Sequence, residues 1–153
     1  MVMEALENLL ESGKGGVWFV PAAETRGIPA AAKKAGFACF HIDGKSITRK
    51  EHFLNRAATA MRFPKTFGNN WDAFEECLLD LESDADGFLV LYDHIDGLVE
   101  AHPDQFETAV EIFRDAVASW KEDGTAFVVL LSGSKAPKGV AKMTSAATAA
   151  DED

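Results

Sequence analysis

Four short apolar runs, Val17 to Val20, Phe37 to Ile42, Phe88 to Tyr92 and Phe127 to Leu131, constrain this fold most, because each is continuous instead of alternating. A strand with one face in water alternates apolar and polar side chains, whereas a strand covered on both faces reads as an unbroken apolar run. Segments with helical spacing separate the runs. Strands alternating with helices predict an α/β domain built on a small parallel sheet of three to four strands.

The intervening helices carry their own punctuation. Glu4 to Ser12 reads as a short helix closed by Ser12-Gly13, and the Ala- and Lys-rich stretch Pro29 to Lys34 stops at Gly36. Thr48 followed by Glu51 fits a capping box, and Leu54, Ala57, Ala58 and Met61 then recur at helical spacing until Phe63-Pro64 breaks the element. Pro103 opens a long amphipathic helix with Phe106, Val110, Phe113, Val117 and Trp120 on its inward face, and Gly124 ends it. Beyond Ser132 the residues are small, polar and charged without apolar period, so residues 133–153 are expected to form a flexible tail on a single domain spanning 1–132.

At 153 residues the chain is long enough for one core of its own. It begins without a basic leader and long apolar run, and no window approaches the roughly 18 apolar residues of a membrane span, so a soluble cytoplasmic protein is expected. The formal charge of −10 is unevenly spread. From Asp72 to Asp115 there are fourteen acids against one base, Arg114, whereas Lys33, Lys34, Lys45, Arg49, Lys50, Arg56, Arg62 and Lys65 all precede that block. A surface polarised in this way repels nucleic acid and anionic lipid and attracts basic proteins.

Residues for chemistry do not assemble. Cys39 lies in a strand pattern and Cys77 on the apolar face of a helix, so both read as small buried hydrophobes. His41, His52, His94 and His102 stand singly, without metal-ligand spacings. Gly13-Lys14-Gly15-Gly16 precedes its strand and lacks the spacing of a phosphate loop. The adjacent pair Glu75 and Glu76 would point about 100° apart on a helix and could not converge on one substrate atom. The expectation is a chain with no catalytic residues, cofactor or metal.

What remains is the run FPKTFGNNWDAFEECLLDL, Phe63 to Leu81, in which a Gly-Asn turn leads into a helix. At 100° per residue Trp71, Phe74, Cys77, Leu78 and Leu81 share one side, and Asp72, Glu76 and Asp80 line the other at i, i+4, i+8. Stacked carboxylates repel by a few tenths of a kcal/mol per pair. A local cost kept in this way points to a surface that something else uses.

This run resembles the helix-turn-helix signature of the barstar family, intracellular inhibitors of small secreted ribonucleases. FHIDG, IFRDA and VVLLS extend the resemblance from Phe37 to Ser132, leaving residues 1–36 as an N-terminal strand and helix added to the sheet. The resemblance implies a non-catalytic protein whose loop and following helix plug the active site of a basic extracellular or toxin-type ribonuclease, with carboxylates standing where RNA phosphates would lie. It places Gly68, Asn70, Asp72, Ala73 and Glu76 at the partner, with Thr66, Phe67, Glu75 and Asp80 around them and Asp115 as a second contact from the later helix. Thr66 and Glu75 replace a contacting Tyr and Trp of the type member, and Glu76 replaces an Asp. The lost aromatics leave an adaptor or immunity protein for another basic partner as the alternative. The number of copies in the functional unit stays open.

Overall fold

The computed structural model describes residues 2–143. Its elements are helix α1 (Val2–Ser12), strand β1 (Gly16–Pro21), a 3₁₀ turn at Ala22–Glu24, α2 (Ile28–Lys34), β2 (Phe37–Asp43), α3 (Lys50–Met61), α4 (Trp71–Leu79), β3 (Gly87–Asp93), α5 (Asp96–Ala101), α6 (Pro103–Glu122) and β4 (Ala126–Gly133). The four strands form one sheet in the order β1-β4-β3-β2, with every pairing parallel. The architecture is therefore the α/β fold that the continuous apolar runs imply.

Side chains leave the two faces of the sheet for two separate cores. Val17 and Phe19, Phe88, Val90 and Tyr92, and Phe127, Val129 and Leu131 meet α3, α4, α5 and α6 on one face. Trp18 and Val20, Leu89 and Leu91, and Val128 and Leu130 meet α1 and α2 on the other. Both central strands are thus sealed above and below, which is why their sequences do not alternate. The first core is organised by aromatic rings: Phe53 of α3 lies 5.1 to 6.4 Å, between centroids, from Tyr92, Phe74, Trp71 and Phe113. These contacts fix α3 and α4 against the sheet and against α6.

β1 occupies a sheet edge as a fourth strand beside β4. Its first residue, Gly16, has φ +152°, and a Cβ there would stand 2.4 Å from the Trp18 indole, so only glycine lets that ring fold back over the strand.

Three local expectations change. α3 starts at Lys50 with extended Arg49 as its N-cap and no side-chain cap bond, so Thr48 and Glu51 form no capping box. α4 stops at Leu79, which puts Asp80 at its C-cap and Leu81 beyond it. The chain after β4 is also not free from residue 133. Gly133 completes β4, Arg114 donates to the Gly139 carbonyl at 2.8 Å, and Val140 and Met143 are buried. Phe19 N–H donates to the Ala141 carbonyl and Met143 N–H to the Phe19 carbonyl, each at 2.8 Å, so residues 141–143 cover the outer edge of β1. The low-apolar composition hid this because two buried side chains and backbone pairing suffice to hold the segment. The remainder of the expected tail, 144–153, lies outside the described residues.

Candidate functional site

The turn before α4 is built by backbone geometry. Asn69 takes the left-handed conformation, φ 56°, and Asn70, extended at φ −137°, caps the helix by accepting the Ala73 N–H at 2.8 Å. Asp72 follows in the first turn, where the helix dipole favours a carboxylate. Phe74 and Leu78 are buried against α6 and the sheet, and this rotation of the helix leaves Asp72, Glu76 and Asp80 exposed on its outer side. Among the described residues none of these three carboxylates makes an ion pair. The cost of the column is therefore not offset within the chain.

Beside this helix runs an open groove of about 1280 Å³, bordered by the β2 edge, the end of α3 and α4. Thr66, Phe67, Gly68, Ala73, Glu76 and Asp80 line it. The fold thus gathers six of the ten sequence-selected residues around one concavity. Asn70, the cap, and Asp72, the first-turn acid, are exposed but not part of the lining, and Glu75 is half-buried on α4 and also outside it. Asp115 is exposed on α6, the helix against which α4 packs, and is also not part of the lining. Phe67 leans on Phe63 at 5.2 Å, and Trp71 on Phe53 and Phe74 at 5.8 and 5.9 Å, with its indole N–H donating to Gln105 Oε1 at 2.9 Å. Trp71 therefore packs, as its place on the helical projection suggests.

Gly68 is informative by elimination. Its φ is not in the left-handed region, and a Cβ there would meet its nearest neighbour, the Asn70 Nδ2, at 3.3 Å. The chain's own geometry tolerates a small side chain there with a slight shift. The two thiols are held neutral: burial pushes Cys39 up, and burial together with Asp80 and Glu76 pushes Cys77 up.

A second cluster lies at the carboxyl ends of β2 and β3. Register pairs Asp43 with Asp93, which brings His41 and His94 to the same spot. His41 Nε2 lies 2.8 Å from Asp93 Oδ2, and His94 Nδ1 lies 3.1 Å from Asp93 Oδ1 and 3.3 Å from Asp43 Oδ1. The Lys45 N–H donating at 3.0 Å, and then the two histidines, hold the Asp43 carboxyl below the usual carboxylate range. Sequence spacing could not reveal this grouping, because its halves lie some fifty positions apart and meet only through strand pairing.

Two structures of the Aeropyrum pernix ORC2 protein, in its ADPNP-ADP and ADP forms, superimpose with TM-scores of 0.59 and 0.55 at 12% and 14% identity, covering 97% and 98% of this chain. This chain spans 42% of theirs, and the likeness at that identity is one of fold. Gly13 to Gly16 sits at the amino end of β1, away from the carboxyl-end crevice where parallel sheets bind ligands. No curated protein sequence matches the chain. The family model described as barstar, the barnase inhibitor, matches residues 37–132, from the first residue of β2 to the penultimate residue of β4. That match covers well over half the sequence and includes the capped turn, the acidic helix and α6: the chain belongs to the barstar family.

Proposed function

We propose that this protein is a cytoplasmic inhibitor of a small basic ribonuclease of extracellular or toxin type, which it blocks one-to-one without doing chemistry. The observation that carries the reading is the exposed, unpaired column Asp72, Glu76 and Asp80 beside the Gly68-Asn70 turn. A nuclease active site presents Arg, Lys and His to RNA phosphates, and carboxylates fixed on a rigid helix answer those charges with little ordering cost. Glu76 at the middle of the column is the principal carboxylate, Asp72 and Asp80 flank it, and Thr66, Phe67, Asn70, Ala73 and Glu75 surround the contact. Gly68 fits the same reading, since the chain itself has little need of glycine there and a partner's close approach does. Asp115 on α6 supplies a second, outlying charge.

Titration of a barnase-type ribonuclease with the full chain tests this. Stoichiometric inhibition is expected, weakened roughly 10- to 100-fold by Glu76→Ala, as for loss of a hydrogen bond to a charged group. Association should slow steeply as added salt brings the Debye length below about 10 Å. Inhibition indifferent to both changes would sink the substrate-mimic reading. Thr66 and Glu75 in place of aromatic anchors favour a second reading, an adaptor or immunity protein for another basic partner; binding without ribonuclease inhibition would select it.

A further inference from the structure

We propose that Asp43, Asp93 and His94 bind one divalent transition-metal ion of the zinc class, with His41 as the residue that positions the Asp93 carboxylate. Among the described residues they are the one group of three or more possible ligands whose donor atoms lie within 4.8 Å of one another. Donors each about 2.0 to 2.1 Å from a tetrahedral zinc stand about 3.3 Å apart. The His94 Nδ1 distances to Asp93 and Asp43, 3.1 and 3.3 Å, match that spacing.

Two polar atoms beside the cluster lack what a bound ion and its water would give them. Asp93 Oδ1 is enclosed and takes no hydrogen bond from the described residues, although His94 Nδ1 is only 3.1 Å away. A carboxylate oxygen and an imidazole nitrogen that close, without hydrogen-bond geometry between them, are placed so that a cation can replace the proton on His94 Nδ1 and satisfy both. The second atom is the hydroxyl of Ser132, 1% exposed and without a partner among the described residues. Ser132 follows Leu131, which pairs with Tyr92, so it stands one strand over from Asp93 and projects to the same face of the sheet. A buried hydroxyl with no partner is destabilising. A water on the metal's open position is within the chemistry that would relieve it.

The donors identify the ion's class. One imidazole nitrogen with two carboxylates suits zinc, cobalt or nickel better than calcium or magnesium, which take oxygen shells. Asp93 uses Oδ1 toward the ion while Oδ2 is held by His41 at 2.8 Å, the outer hydrogen bond that ligating carboxylates normally have. The position, at the carboxyl ends of two adjacent parallel strands, is where sheets of this type hold ligands. It owes nothing to the acidic face of α4.

The test is cobalt and zinc binding to the tag-free, chelator-stripped full chain at pH 7.5. One equivalent of cobalt should give the intense ligand-field bands of a tetrahedral ion, displaced by one equivalent of zinc, and zinc should raise Tm. His94→Ala and Asp43→Asn, both exposed positions, should lose the bands and the Tm rise while keeping the native far-UV spectrum. His41→Ala should weaken affinity roughly 10- to 100-fold with the band shape retained, and His102→Ala should change nothing. No saturable binding below millimolar metal, or binding that survives His94→Ala, overturns the proposal.

Discussion

The indole N–H of Trp71 donates to Oε1 of Gln105 at 2.9 Å, tying the first residue of α4 to the first turns of α6 across 34 positions of sequence. Together with Trp120, whose indole N–H donates to the Leu78 carbonyl at 3.0 Å, it fixes both ends of the acidic helix to one long partner. The acids are therefore displayed on a helix that cannot turn. Trp71→Phe keeps the ring contacts with Phe53 and Phe74 but loses the bond, and should cost about 1 kcal/mol in urea unfolding. Under the inhibitor reading its effect on nuclease binding should be far smaller than that of Glu76→Ala. A larger effect would make Trp71 an anchor in contact with the partner.

Glu76→Lys tests whether the column is kept for a partner. Lysine between Asp72 and Asp80 turns two i,i+4 repulsions into attractions, each worth about 0.2–0.5 kcal/mol either way. Stability should rise by up to about 2 kcal/mol at low salt and less at high salt, while ribonuclease inhibition falls to the detection limit. A less stable protein would mean that Glu76 has a structural role.

Met143 and the segment before it supply a test of the fold. Met143→Ala removes a side chain 1% exposed in the core beneath α1 and α2, and should cost about 2–5 kcal/mol. Truncation after Gly133 should cost at least as much, since it also strips the backbone pairing from the outer edge of β1. An uncovered edge invites association, so light scattering should report larger species for the truncated chain. Unchanged stability in both would show the segment to be dispensable.

These features mark where sequence patterns stop being informative. The strands were legible because sealing β3 and β4 on both faces leaves no polar alternation to confuse, and α6 because Pro103 and a long amphipathic repeat announce it. α5, six residues from Asp96 to Ala101, is too short to show a helical period in the sequence. Phe53, the ring at the centre of the aromatic cluster, stands just before the Leu54, Ala57, Ala58 and Met61 repeat. The acidic face of α4 needs only the 100° rule. The cluster of His41, Asp43, Asp93 and His94 depends on the parallel register of β2 with β3, which no local pattern encodes.

Tyr92 offers the clearest pH experiment. Its ring is fully buried between Phe53 and Phe106, and its hydroxyl has no hydrogen-bond partner among the described residues. Burial first, and the Asp93 carboxylate second, raise the phenol pKa far above its ordinary value of 10.0. In the unfolded chain the phenol ionises near that value, so above about pH 10 the unfolded state gives up a proton that the folded state keeps. Stability from this group is complete below about pH 10 and declines as pH rises beyond it. Tyr92→Phe removes both the orphaned hydroxyl and the proton linkage. At pH 7 it should be neutral or stabilising by about 1 kcal/mol, and between pH 10 and 11.5 it should lose stability less steeply than the parent in urea melts. Equal slopes for the two proteins would mean that Tyr92 ionises in the folded state and that the hydroxyl reaches water.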